Sequence, residues 1–557
     1  MINKLCRQVM LSLPQIALRT WKALFTSIAV AVITIISQAQ TTIYVAPDGD
    51  DARNGRGSWT NAVETISRGV ALATTAGDLV LVSNGTYNTV ATILINRAIT
   101  LRGLDRETTI IRGDYPNTTH RGIHIANSGA TVECITVTAC GFTNDVGGGV
   151  RLDGGVLNDC VVTGNMAKQG GGVYVKTYGL VTGCQILDNS SYHADGGGMY
   201  IYSCSGLVLS NCLIAANKVD GTATYRYGGG LMLDGGAPVL VGCVISNNVA
   251  PSIGGGICIG SAGSPLMRDC RIVGNRSGSF GGGIVLSANC TALLTNCVVA
   301  DNKAVGSETR GGGISSGFYT NTALTMLWCR VTGNMSTRFG AGIFMGNGLL
   351  DHCVITDNLL TNGTFLHGAG VYINSSATTE LRNCLIAGNS TGVDPQGYGG
   401  SGMVIDQNTT ATVVNCTIVS NYSYRNCGGV YFNSDNGDAD RFYNCVIASN
   451  ETAYPNLRTK NLYLRTAAQS NAFYYSCGDL LTNVGQGNIT NDPCLVNLSA
   501  GDYRLQAQSP CINTGTNLPW MAESVDLDGR TRLDRFSHQV DMGCYEHMPQ
   551  GIIFNLR

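Results

Sequence analysis

Acid–base chemistry needs titratable side chains close together, and the sequence offers one local group of them: Lys176, His193, Asp195 and Arg226. A base of this kind, with calcium held by clustered carboxylates, would suit proton abstraction from an acidic sugar. Two carboxylates at a set separation would instead suit glycosidic hydrolysis. The other acids, among them Asp153, Asp188 and Asp234, are scattered, with no dense set on successive segments. Solvated turn residues are therefore the competing reading of the group. Asp48, Asp50 and Asp51, with Asn54, form an oxygen-rich loop that could hold calcium, although turn formation explains the same residues. Asp526, Asp528, Asp541 and Glu546 are a similar case, with Arg530 and Arg532 available as ion-pair partners. No other cofactor is implied.

What positions these residues is a repeat. A glycine run followed by alternating apolar residues occurs at Gly147, Gly170, Gly196, Gly228, Gly254, Gly281 and Gly311, and in weakened form at Gly340, Gly368, Gly400 and Cys427. A cysteine with an asparagine five positions later recurs eleven times, from Cys160/Asn165 to Cys445/Asn450, at intervals of 24 to 32 residues. Variable intervals combined with period-2 alternation suit a parallel β-helix, in which extra residues lengthen one turn. Each coil would hold a strand after the glycines, another around the cysteine and a third near the asparagine. Glycine suits a tight turn, asparagine a stacked amide ladder, and cysteine a buried column of free thiols. At about 4.8 Å per coil the rod would be roughly 60 to 70 Å long.

The middle residue of each post-glycine strand should then point outward. That column reads Arg151, Tyr174, Tyr200, Met232, Cys258, Val285, Ser315, Phe344, Tyr372, Val404 and Tyr431. Its aromatic members, Tyr174, Tyr200, Phe344, Tyr372 and Tyr431, are candidate ligand-binding residues for stacking sugars or docking a protein. Coverage by long loops is the alternative.

Composition agrees with a solenoid. Glycine supplies 73 of 557 residues, about twice the typical share, while only 13% are charged and proline numbers 12. A net charge of −2 gives no general attraction for nucleic acid. Lys4, Arg7, Arg19 and Lys22 precede an apolar stretch over 23–36 and Ser37-Gln38-Ala39, the pattern of a cleaved secretory signal. Export, with no transmembrane segment in the mature chain, is expected. The resulting division is 1–39 signal peptide, 40–77 opening motif and capping helix on Val63, Ile66 and Val70, 78–484 parallel β-helix, and 485–557 C-terminal cap. Of the cysteines outside the ladder, Cys477, Cys494, Cys511 and Cys544 are placed to include a disulfide.

Tyr44-Val45-Ala46-Pro47-Asp48-Gly49-Asp50-Asp51 with Asn54-Gly55 resembles the opening motif of secreted right-handed parallel β-helix proteins of the pectate-lyase superfold. Asp492-Pro493, Gly501-Asp502-Tyr503-Arg504-Leu505, Asp526-Leu527-Asp528-Gly529 and Asp541-Met542-Gly543-Cys544-Tyr545-Glu546 resemble the choice-of-anchor Q domain of bacterial surface proteins. The repeats are similar to those of chlamydial polymorphic outer-membrane proteins, which are adhesins. The resemblance implies an all-β, single-stranded right-handed parallel β-helix on a bacterial surface or secreted from it. It also implies an adhesin-like role, with an extracellular polysaccharide or surface protein as partner. It supplies no catalytic residues. Polysaccharide lyase or glycoside hydrolase activity remains the alternative, since enzymes of both kinds share the superfold.

Overall fold

The computed structural model describes residues 40–193, 195–220, 227–361, 366–393, 399–433, 439–454, 460–479, 481 and 485–547. The chain winds into a solenoid of parallel strands stacked coil upon coil. The coil that starts at Gly254 shows the pattern, with strands Ile257–Gly260, Leu266–Arg268, Arg271–Val273 and Arg276–Ser277. Each pairs in parallel and in register with its counterpart one coil later. The post-cysteine strands, with their counterparts in the first coils, form a fifteen-stranded sheet and the post-asparagine strands an eleven-stranded one. Fourteen steps of about 4.8 Å make the rod about 67 Å long.

Left-handed residues bend each coil at recurring places. In this one Gly254 (φ 65°), Asp269 (φ 56°) and Gly274 (φ 69°) stand immediately before the second glycine, the cysteine and the asparagine, and Ser261 (φ 50°) and Ala262 (φ 59°) turn the loop after the first strand. The other two glycines of the triad are demanded by space. A Cβ on Gly255 would lie 2.5 Å from the Arg276 carbonyl, and one on Gly256 would lie 2.7 Å from the Gly283 carbonyl and 3.0 Å from the Asn275 amide. Period-2 alternation then sends Ile257, Ile259, Met267 and Ile272 inward, where all are fully buried.

Cys270 and Asn275 occupy the interior corners. The Cys270 thiol donates weakly to the carbonyls of Leu240 (3.6 Å) and Arg268 (3.3 Å). Asn275 is bonded on every side: its Nδ2 donates to Asn302 Oδ1 (2.9 Å) and the Ile245 carbonyl (2.9 Å), and its backbone N–H also donates to Asn302 Oδ1 (2.9 Å). Its Oδ1 accepts from the Asn248 backbone N–H (3.0 Å) and Nδ2 (2.9 Å). All 21 described cysteines are free thiols, including Cys477, Cys494, Cys511 and Cys544, where a disulfide was expected. Burial pushes the Cys140 thiol up to about 12, so it remains protonated and inert at neutral pH.

The ends differ from expectation in detail. The N-terminal helix runs only Ile66–Leu72, because Thr65 caps it by accepting the Arg68 N–H and Val63 instead pairs beside Val45. Ile66, Gly69 and Val70 face the core. The C-terminal segment carries one antiparallel pair, Leu495–Asn497 with Asp502–Leu505. It packs against the flank of the last coils, over Leu385, Ala387, Val419, Val446 and Ala448, instead of simply closing the end. The left-handed asparagines before three cysteines hold it. Asn383 accepts from Arg532 Nε (2.9 Å), Asn415 donates to the Asp541 carbonyl (3.1 Å), and Asn444 exchanges bonds with Thr516. Arg532, fully buried, pairs with Glu546 at 2.7 Å.

Replacing Asn275 by Ala strands partners above and below and should cost about 3 kcal/mol, whereas Cys270→Ala should cost about 1 kcal/mol. Urea unfolding with hydrogen exchange across the Asn248 and Asn302 coils measures both; equal costs would contradict the ladder's role. Arg532→Ala leaves Glu546 buried without its cation and should cost about 3–5 kcal/mol. Its signature is faster proteolysis of the C-terminal segment than of the rod.

Candidate functional site

The outward column is present, but most of it is covered. Tyr200, Met232, Cys258, Val285, Ser315, Phe344, Tyr372, Val404 and Tyr431 are all buried, and Tyr174 is half-buried. The reason lies just before each glycine run. Asp195, Tyr227, Ile253, Phe280, Arg310, Phe339 and His367 bridge one another from coil to coil and form a second ladder beside the column. Phe339 and His367 pack on Tyr372 with ring centroids 5.2 and 6.2 Å away. Phe344 and Tyr372 stack at 5.2 Å, and Tyr431 stacks on Tyr463 at 4.6 Å. The long open stripe is thus corrected to a set of covered aromatic stacks that is partly open only towards the N-terminal coils.

Over those coils, polar and aromatic groups share one face. His124, Arg151, Tyr174, Tyr200 and Met232 are register partners in one outward column. Lys176, Tyr202 and Asp234 are register partners in the next. Asp153 joins the two columns: it accepts from His124 Nε2 (2.7 Å) and Arg151 Nε (2.9 Å). Although burial works against it, those hydrogen bonds hold Asp153 below the usual carboxylate range. The Arg151 guanidinium lies 5.9 Å from the Tyr174 ring, which stacks on Tyr200 at 5.6 Å. Tyr200 OH donates to Asp234 Oδ2 (2.5 Å), and Ser261 donates to the other oxygen. Tyr178 and Tyr202 project from the unusually long strands Val173–Thr182 and Met199–Ser210 and are 48% and 45% exposed.

Asp195 stands beside this patch. Its Oδ2 accepts from Gln169 Nε2 (3.2 Å), while its Oδ1 is buried with no partner among the described residues. Burial pushes its carboxyl up to about 6, and the charge of Asp234 adds to the shift. Of the group expected from sequence, Lys176 and Asp195 reach the patch. His193 is exposed and acts on Asp195 through its charge, and Arg226 lies outside the described residues. His124 and the Asp153 bridge escaped the sequence reading. So did the grouping of Asp153, Asp195 and Asp234, which looked scattered along the chain. The available signal was an aspartate directly after the post-glycine strand, as in Leu152-Asp153, Leu233-Asp234 and Ile405-Asp406.

The calcium candidates are occupied with structure. Asp51 accepts from the backbone of Glu64 and Thr65 (both 2.9 Å) and from Thr65 Oγ1 (2.6 Å), and Asp50 accepts from the Ala52 N–H (2.9 Å). Asp48 is exposed. Among the described residues, no three His, Cys, Asp or Glu side chains converge as metal ligands.

The family model for the right-handed β-helix region matches residues 99–229 and 222–349. The solenoid is a right-handed parallel β-helix. Solved structures similar to it include pectate lyase Pel9A, 17% identical, covering 92% of this chain and 98% of that one at a TM-score of 0.29. XylC in complex with xylose is 10% identical, covering 92% and 99% at 0.28. The GH136 lacto-N-biosidase from Eubacterium ramulus is 12% identical, covering 76% and 68% at 0.29. These likenesses are of fold and carry no activity across. No curated protein matches the chain.

Because the native Asp195 holds its proton up to about pH 6 and the unfolded residue ionises near 3.8, the folded state binds the extra proton between those values. Stability should fall as pH rises through that window, by up to about 3 kcal/mol relative to Asp195→Asn. Thermal unfolding of both proteins from pH 4 to 7 checks this; parallel curves would place Asp195 in an ordinary environment.

Proposed function

We propose that the protein is an exported right-handed β-helix that binds glycan on the outer face of its N-terminal coils. The observation that carries this reading is the pairing of exposed rings, Tyr178 and Tyr202, with the hydrogen-bonded polar groups of His124, Arg151, Asp153 and Asp234 on one sheet. Sugars are recognised by such combinations, ring faces stacking on C–H surfaces while charged groups bond hydroxyls. The basic and apolar leader and Ser37-Gln38-Ala39 support export. The choice-of-anchor Q-like segments and the adhesin-like repeats support a bacterial surface role. No helix of the described residues is long and apolar enough to cross a membrane.

A second reading, glycoside or uronide cleavage, is favoured by one observation: the Asp195 carboxyl is held near 6 beside Asp234, as a general acid and its partner require.

Tyr178→Ala with Tyr202→Ala should weaken glycan binding at least tenfold in calorimetry against a polysaccharide panel, whereas Tyr372→Phe should lower stability and leave binding unchanged. The reverse pattern would move the binding face off these coils. If the chain cleaves a member of the panel, Asp195→Asn should abolish product and retain binding; undiminished turnover would remove Asp195 from catalysis.

A further inference from the structure

The bridge ladder that carries Asp195 carries Arg310 four coils later, after Tyr227, Ile253 and Phe280. The setting of Arg310 is unusual for a cation. Its guanidinium carbon lies 5.3 Å from the Phe280 ring centroid, 4.7 Å from Phe318, 5.6 Å from Phe339 and 5.7 Å from Phe344. Phe280 and Phe318 approach each other at 4.3 Å, closing two sides of the cage. Phe318 is 42% exposed, so the cage reaches solvent. No described residue accepts a hydrogen bond from the guanidinium or forms an ion pair with it. The nearest acid in sequence, Glu308, is taken by Arg338.

Four ring faces satisfy the charge of Arg310 but not its five N–H donors, which need acceptors of their own. A planar fork of donors in an apolar frame is the arrangement that matches a carboxylate or sulfate in two parallel bonds. The surrounding rings offer the stacking surface that a sugar C–H face uses. We propose that Arg310 and its phenylalanine cage bind the anionic group, carboxylate or sulfate, of an acidic sugar. The proposal rests on the glycan-binding reading and adds the ligand's charge. Four steps of about 4.8 Å separate Arg310 from Asp195, about 19 Å along the rod, a distance that a short oligosaccharide spans.

The test compares wild type, Arg310→Gln and Arg310→Lys by calorimetry against a polyuronate, a sulfated polysaccharide and a neutral β-glucan. Arg310→Gln should lose at least tenfold in affinity for the polyuronate, the sulfated chain or both. Lysine, which keeps the charge without the fork, should restore part of the loss, and neutral glucan binding should not change. Which anionic chain responds distinguishes carboxylate from sulfate. Unchanged anionic binding in a folded Arg310→Gln protein would overturn the proposal, as would an equal loss for the neutral glucan.

A second measurement does not depend on polysaccharide binding. Phenylglyoxal modification of Arg310, mapped by peptide mass spectrometry, should be slowed by glucuronate or a sulfated monosaccharide and not by glucose. Protection that persists in the Tyr178→Ala, Tyr202→Ala protein supports the Arg310 site even if the upstream face fails. A rate unchanged by both anions overturns the site whatever the upstream face binds.

Discussion

The amide of each interior asparagine must lie one strand spacing from the next, and most of the structure follows from that requirement. Eleven bonds join twelve amides, from Asn165 through Asn450 to Asn461, each of the first eleven donating to the oxygen of the next. Buried groups of this polarity are tolerated only when every donor and acceptor is used. The ladder meets that condition at both ends. Asn165 Oδ1 accepts the Cys140 N–H (3.0 Å) at the start, and Asn461 Nδ2 donates to the Asp479 carboxylate (3.1 Å) at the finish. Because all the amides point the same way, their dipoles add, and the single acid sits at the positive end of the row.

A ladder this strict leaves freedom elsewhere. The recurring left-handed bends before the second glycine, the cysteine and the asparagine fix where the strands begin and which face they show, so the chain between the bends can grow without disturbing the core. The strands Val173–Thr182 and Met199–Ser210 use that freedom to project Tyr178 and Tyr202. The later coils use it for attachment, their bend asparagines Asn383, Asn415 and Asn444 holding the C-terminal segment. A one-coil shift would break the amide row and both outer arrangements together.

The parts of this design that recur at fixed offsets were legible in the sequence. Glycine triads, cysteines and asparagines declared the solenoid because each is demanded by a local clash, a corner or a stacked bond. The binding face was less legible, for a physical reason. Alternation tells whether Tyr372 points out of its sheet, but not whether Phe339 and His367 will lie over it. Likewise His124 and Asp153, 29 positions apart, meet only because the coil between them takes 27 residues and sets Asp153 two places beyond Arg151, the register partner of His124. The metal-like acids at the ends, Asp51 and Asp526, proved to be backbone acceptors, a role their residue type shares with calcium ligation.

Two tyrosine–aspartate pairs show how cover separates structure from site. Tyr200 donates to Asp234 and Tyr372 to Asp406, each across one coil and 34 residues. In both, burial and the facing carboxylate push the phenol well above its usual range. Asp406 is buried and also accepts from Ser375 (2.7 Å) and Asn433 (2.9 Å), so its oxygens are occupied and the pair serves as a clamp. Asp234 is half-buried, with the exposed Ser261 as its other donor, and it shifts the proton affinity of Asp195. The same pairing is therefore a fastening where the neighbouring ladder closes over it and an addressable charge where it does not. Function on such a rod is set less by which residues a coil carries than by which of them the next ladder leaves uncovered.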